Sequence, residues 1–316
     1  MLGGLFILIG FVVLIYGANF LVDGAAAFAA KLKVPNIVIG LTIVAFGTSS
    51  PELVVNSFAA INGNPQIVLG NIIGSNIFNI AAILGLSAII YPLVVKTNTT
   101  WIEIPLALLA VLLVAVMAND MLIDNAATNV ITRSDGIVLL FFFAIFLVYN
   151  IHVSISNKEV NEIGVKSMTI TKSVLLIVLG LVMLVVGGKL IVEYAVEIAQ
   201  LLGLSERVIA LTIVSVGTSL PELATSIVAV RKRNVDIAVG NVVGSNIFNI
   251  FLILGVSSVI ADVPFTPENQ FDLLVNILFS LLLFLFIFTG KGRKLDRWEG
   301  MILLIGFITY MVSILM

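Results

Sequence analysis

Displaced by 170 residues, the chain matches itself. "VIGLTIVAFGTSSPEL" from Val38 lies on "VIALTIVSVGTSLPEL" from Val208, and "LGNIIGSNIFNIAAILG" from Leu69 lies on "VGNVVGSNIFNIFLILG" from Val239. Roughly 29 of the 53 positions from 38 to 90 equal their mates, well beyond coincidence, so the chain is a duplicated unit. The same displacement pairs Gly10 with Gly180, Gly17 with Gly187 and Asp23 with Glu193. The first apolar run therefore belongs to the repeat and is expected to be retained, not cleaved, and no basic segment precedes it as a leader would require. A slightly shorter displacement lays "RSDGIVLL" at Arg133 on "RWEGMILL" at Arg297.

Composition sets the solvent for this unit. The chain is 60% hydrophobic and 11% charged over 316 residues, with a mean hydropathy of +1.21, against roughly 25% charged residues in soluble domains. A bilayer core needs about 20 apolar residues per helix. Ten such runs are present, at 4–28, 36–60, 66–90, 102–119, 135–152, 173–200, 208–230, 236–260, 271–289 and 298–316. Five runs per half is an odd number, so the second half enters the membrane upside down. The expected fold is an all-α integral membrane protein of about ten transmembrane helices in two inverted five-helix repeats. Residues 1–152 form the first repeat, 173–316 the second, and the polar stretch 153–172 the linker.

Net charge, −2, says little about partners, but its distribution does. With the N-terminus outside, Lys31, Lys33, Lys96, Lys158, Lys166, Lys172, Arg231, Lys232, Arg233, Lys291, Arg293, Lys294 and Arg297 collect on the inner side, while outer loops hold only Arg133 and Arg207. The positive-inside rule then puts both termini outside and 153–172 in the cytoplasm of a cell-membrane protein. With no cysteine, disulfides and thiolate metal sites are excluded. No GxxxxGK[ST] loop occurs, which disfavours ATP-driven pumping. The lipid bilayer is the expected partner; no nucleic acid, resident cofactor or obligatory protein partner is indicated.

Against this apolar background, Glu52 and its mate Glu222 fall near the middle of the second and seventh runs, each just after Gly-Thr-Ser-X-Pro. Charged groups at bilayer depth are costly and mark functional sites. Glycine and proline let a helix break, and the freed carbonyls need partners. Inverted repeats with interrupted helices are an architecture of secondary transporters, whose ion sites lie at the midplane where the halves meet. Each "GTSxPE" offers Thr and Ser hydroxyls, carbonyls and a carboxylate; each "GNxxGSNIFN" adds Ser and Asn oxygens. Such hard donors suit Ca2+, Na+ or Mg2+, and two carboxylates match one Ca2+, whereas Mg2+ keeps several waters. Helices 2, 3, 7 and 8 are expected to be broken around this site.

These paired motifs, in order and at matched spacing, resemble the two alpha-repeats of the calcium/cation antiporter superfamily, and within it the sodium/calcium exchangers. The likeness runs over almost the whole chain. It implies exchange of Na+ for Ca2+ by alternating access, with the first and sixth helices sliding together across the core, and no enzymatic activity. Carried over position by position, it implies Glu52 and Glu222 as shared Ca2+ and Na+ ligands. Thr48, Ser49, Thr218 and Ser219 would complete the cage, Ser75, Ser245, Asn79 and Asn249 would approach from the third and eighth helices, and carbonyls of Ala45 and Ser215 would flank it. Asn79 and Asn249 are amides where potassium-dependent relatives carry acids, which points to potassium independence. Ser50 stands opposite Leu220, adding polarity to one side of the cage.

Blander roles attach to other residues. Gly70 with Gly74, and Gly240 with Gly244, also read as GxxxG packing motifs. Asn71, Asn76, Asn241 and Asn246 hold the interrupted helices in place. Asp23, Glu103, Glu193 and Glu197 lie nearer helix ends, where snorkelling and capping are the default. Two rival functions stand beside the exchanger: a Ca2+/H+ antiporter of the same superfamily, and, more distantly, an intramembrane protease. The first usually reads Asn-Ala-Thr-Glu at the motif, and the second uses an aspartate pair, whereas no Tyr-Asp or Gly-X-Gly-Asp occurs within any helix here.

Overall fold

The computed structural model describes residues 2–123, 125–156, 168–201, 215–289 and 292–315. Helix α1 is Leu2–Leu32. Helix α2 runs Asn36–Thr48 and, after a 47° bend, Ser50–Ile61. Then follow α3 (Gln66–Ile90), α4 (Thr99–Met117) and α5 (Arg133–Ser156). The second half begins with α6, Ile170–Leu201. The described part of α7 comprises Ser215–Thr218 and Leu220–Arg231, and α8 (Val235–Ile260) and α9 (Pro267–Thr289) come next. Helix α10 is Arg297–Leu315. Among the described residues eight helices are long and apolar enough to cross a membrane, nine with bent α2 counted as one. The tenth expected span, 208–230, lies partly outside the described residues.

Helices α3 and α8 form the centre. In their most apolar windows 83% and 78% of residues are buried, against 22–39% in the other long helices, whose remaining faces are left for lipid. Around this centre α1 and α6 lie antiparallel. Gly10, Gly17 and Gly24 approach Gly187, Gly180 and Ser173 in reverse order, at seven-residue spacing on both helices. A methyl at Gly17 would sit 3.0 Å from the Gly180 carbonyl, so only glycine permits this backbone approach. Without a hydrophobic drive between helices in lipid, such close packing supplies the attraction. Gly240 and Gly244 of α8 do the same against α2: a Cβ at Gly244 would lie 2.8 Å from the Leu41 carbonyl.

At the helix ends short strands tie the repeats together. Strand β1 (Leu93–Val94) pairs antiparallel with β4 (Lys294–Leu295), and β2 (Val130–Ile131) pairs with β3 (Val263–Pro264). Each pair takes one strand from each half. Ion pairs add to these ties, Asp23 to Lys232 at 2.7 Å and Lys96 to Asp236 at 2.8 Å.

One expectation about the helices is corrected. Helices α3 and α8 do not break; each instead widens into a π-helical segment, Phe78–Leu84 in α3 and Phe248–Leu254 in α8. Neither segment contains proline, so the chain shifts its hydrogen-bond register without bending away, a device common at functional sites.

Candidate cation site

The bend in α2 follows from the local sequence. Pro51 has no N–H to offer the preceding turn, and Ser49, at φ −86° and ψ 4°, leaves helical geometry. The Ser50 hydroxyl turns back along its own helix, 2.8 Å from the Gly47 carbonyl and 2.9 Å from that of Phe46. Ser50 thus satisfies the break and does not add polarity to the cage. In α7 the same interruption falls at Ser219, at φ −91° and ψ 8°, with Pro221 behind it.

Both carboxylates are buried, Glu52 and Glu222 each 1% exposed. Their partners come from the opposite repeat. Ser49 donates to Glu222 Oε1 at 2.9 Å, and Ser219 donates to Glu52 Oε1 at 3.3 Å. Thr48 and Thr218 follow the same crossing, standing beside Glu222 and Glu52 respectively. Ser245 of α8 also reaches Glu222 Oε1, at 3.4 Å. The Thr48 hydroxyl bonds to Asn241 Oδ1 at 3.0 Å, and Asn241 Nδ2 donates to the Glu222 carbonyl and to Ser226.

The central helices meet through four buried asparagines. Asn79 Nδ2 donates to Asn246 Oδ1 at 2.9 Å, and Asn249 Nδ2 donates to Asn76 Oδ1, also at 2.9 Å. The buried oxygens without a hydrogen-bond partner include Glu52 Oε2, Glu222 Oε2, Asn79 Oδ1 and Asn249 Oδ1, with Asn56 Oδ1 and Thr225 Oγ1 farther along α2 and α7. A buried, unpartnered carboxylate oxygen is expensive, and a dehydrated hard cation is the partner this donor set fits.

Other expected residues are placed as follows. Ser75 is buried, and its hydroxyl lies 3.4 Å from Asn71 Oδ1 within its own helix. The Ala45 carbonyl already accepts the Ser49 N–H at 2.9 Å, with the Thr48 hydroxyl 3.3 Å away. Ser215 opens the described part of α7, and its side chain lies outside the described residues. Glu103 departs from the helix-end reading: it is 1% exposed and accepts the Tyr149 hydroxyl at 2.5 Å. Asp272 and Tyr310 make a similar bond between α9 and α10, at 2.8 Å. Acids near helix ends signalled nothing of this, because the tyrosines sit on neighbouring helices far along the chain.

Repeats whose interrupted helices each give a serine hydroxyl to the other's buried carboxylate fit one class, a secondary transporter of hard cations. Comparison with known proteins narrows it. The family described as "Sodium/calcium exchanger protein" matches residues 2–152 and 172–316. The putative antiporter CaxA of Alkalimonas amylolytica is 37% identical over 97% of this chain and 96% of its own length. The sodium/calcium exchanger MaX1 of Methanosarcina acetivorans is 32% identical over 98% and 97%. Among solved structures, the sodium-calcium exchanger NCX_Mj, soaked with Na+ and Sr2+, superposes with a TM-score of 0.85 at 36% identity, covering 99% of this chain and 98% of that one. The chain belongs to the sodium/calcium exchanger family.

Proposed function

We propose that the protein is a Na+/Ca2+ antiporter working by alternating access, independent of K+, with one central site that both ions use in turn. The observation that carries this reading is the set of four unpartnered oxygens on Glu52, Glu222, Asn79 and Asn249, two from each repeat. In this reading Thr48, Ser49, Thr218, Ser219, Ser75 and Ser245 add hydroxyl oxygens, and the Ala45 and Ser215 carbonyls flank the site. No acid stands where potassium-dependent relatives have one.

Coupling follows from charge. Two carboxylates are neutralised by one Ca2+ or by two Na+, and holding both kinds together would pile up positive charge in a low-dielectric site. Occupancy is therefore exclusive, and a Na+ gradient displaces Ca2+. An empty site leaves two buried carboxylates uncompensated, a costly state to carry through an occluded intermediate, so unloaded switching is slow. The halves 1–152 and 173–316 lie inverted in the cell membrane, with both termini extracytoplasmic and residues 153–172 cytoplasmic.

The test is Ca2+ uptake into proteoliposomes loaded with Na+, in K+-free buffer without a pH gradient, for wild type and Glu52→Gln. Uptake that needs the outward Na+ gradient and is lost in the variant is the expected result. Uptake that ignores Na+ but follows an imposed proton gradient would transfer the protein to the Ca2+/H+ branch.

A further inference from the structure

Asparagine is an ambiguous ligand. Its side chain presents an oxygen on one edge and an N–H2 on the other, nearly equal in shape, and only its hydrogen-bond partners decide which edge faces a given point. An amide that turns its N–H2 toward a cation repels it. Something must hold Asn79 and Asn249 the right way round.

The bonds among the four central asparagines settle the orientation. Asn246 Nδ2 donates to the Asn76 main-chain carbonyl at 3.4 Å, which fixes the side chain's edges. Its Oδ1 is then the acceptor for Asn79 Nδ2. The mirror half repeats this: Asn76 Nδ2 donates to the Asn246 carbonyl at 3.3 Å, and Asn76 Oδ1 receives Asn249 Nδ2. All four side chains are buried, at 0–3% exposure. In Asn79 and Asn249 the oxygen is the side-chain atom left without a partner.

We propose that Asn246 and Asn76 are positioning residues, each holding the opposite repeat's ligand amide so that its oxygen faces the cation. The wiring is crossed: Asn246 serves Asn79, and Asn76 serves Asn249. The inference rests on the proposed role of Asn79 and Asn249 as ligands.

A carboxylate has two equivalent oxygens and needs no such orientation, and this supplies the test. In proteoliposomes of the full chain, the Ca2+ concentration for half-maximal uptake and the maximal rate are measured for Asn246→Leu, Asn79→Asp and the double variant. The expected result is a rise of about tenfold in half-saturating Ca2+ for Asn246→Leu, with the maximal rate largely kept. In the Asn79→Asp background the same substitution has an effect of less than about twofold. Equal effects in both backgrounds would mean that Asn246 is structural and would overturn the proposal, as would no effect in the Asn79 background. Asn79→Ala separates the underlying reading: unchanged Ca2+ dependence there shows that Asn79 is no ligand. If Asn246→Leu is not recovered folded, Asn76→Leu against Asn249→Asp gives the mirror comparison.

Discussion

The Ser49 hydroxyl of α2 is bonded to the Glu222 carboxylate of α7 across 2.9 Å, so one repeat steadies the acid of the other. Ser219 and Glu52 complete the exchange at 3.3 Å. A hydrogen bond to a charged group contributes about 1.5–3 kcal/mol. Ser49→Ala should therefore raise half-saturating Ca2+ by roughly tenfold, since each 1.4 kcal/mol is a factor of ten. Isothermal titration of the purified protein, together with Ser49→Ala in a Glu222→Gln background, checks it. If the serine acts through the glutamate, the two losses are not additive.

Gly244 faces the α2 backbone, with Leu41 O and Ala45 Cβ each 2.8 Å from where a side chain would begin. Both are fixed atoms, so Gly244→Val should lower thermal stability by about 1–3 kcal/mol or more, the cost of overpacking. Gly4→Val, with nothing within 4 Å, is the control and should be neutral. Thermal unfolding in detergent reads both. A wild-type melting temperature for Gly244→Val would contradict the packing described.

Pro51 bends α2 by denying a donor to the turn before it. Pro51→Ala restores an N–H for the Gly47 carbonyl, in competition with the Ser50 hydroxyl. Thermal stability should be nearly unchanged, because Pro51 lies in the first turn of the Ser50–Ile61 segment, where a proline costs a helix little. Transport should slow severalfold as the carboxylate one residue on is moved. A destabilised protein with normal transport would show that the bend serves stability instead.

Tyr149→Phe removes the hydroxyl that Glu103 accepts and leaves a buried carboxyl short of a partner. Stability should fall by roughly 1–3 kcal/mol. Half-saturating Na+ and Ca2+ should not change, because this pair is not among the site residues. A change in ion dependence with an unchanged melting temperature would place Glu103 in the transport path.

Much of this was legible before any coordinates. Ten apolar runs and a duplicated motif are local signals, and a glutamate amid apolar residues stands out because lipid makes it costly. The crossing of Ser49 to Glu222, by contrast, depends on where two segments 173 residues apart come to rest. Ser50 reads in sequence as a polar addition to the cage, yet its hydroxyl is taken by the Phe46 and Gly47 carbonyls of its own helix. Resemblance marks Asn79 and Asn249 as candidate ligands, but the bonds that tie them to Asn246 and Asn76 are visible only in the structure. The widening of α3 and α8 has no proline or glycine pair to announce it.

The two small sheets carry a last consequence. Each takes one strand from each half, as each carboxylate takes its serine. Half the chain, made alone, would expose unpaired strand edges on both sides of the membrane and carry an acid without its hydroxyl. Neither half is therefore complete by itself; each becomes whole only by folding against the other.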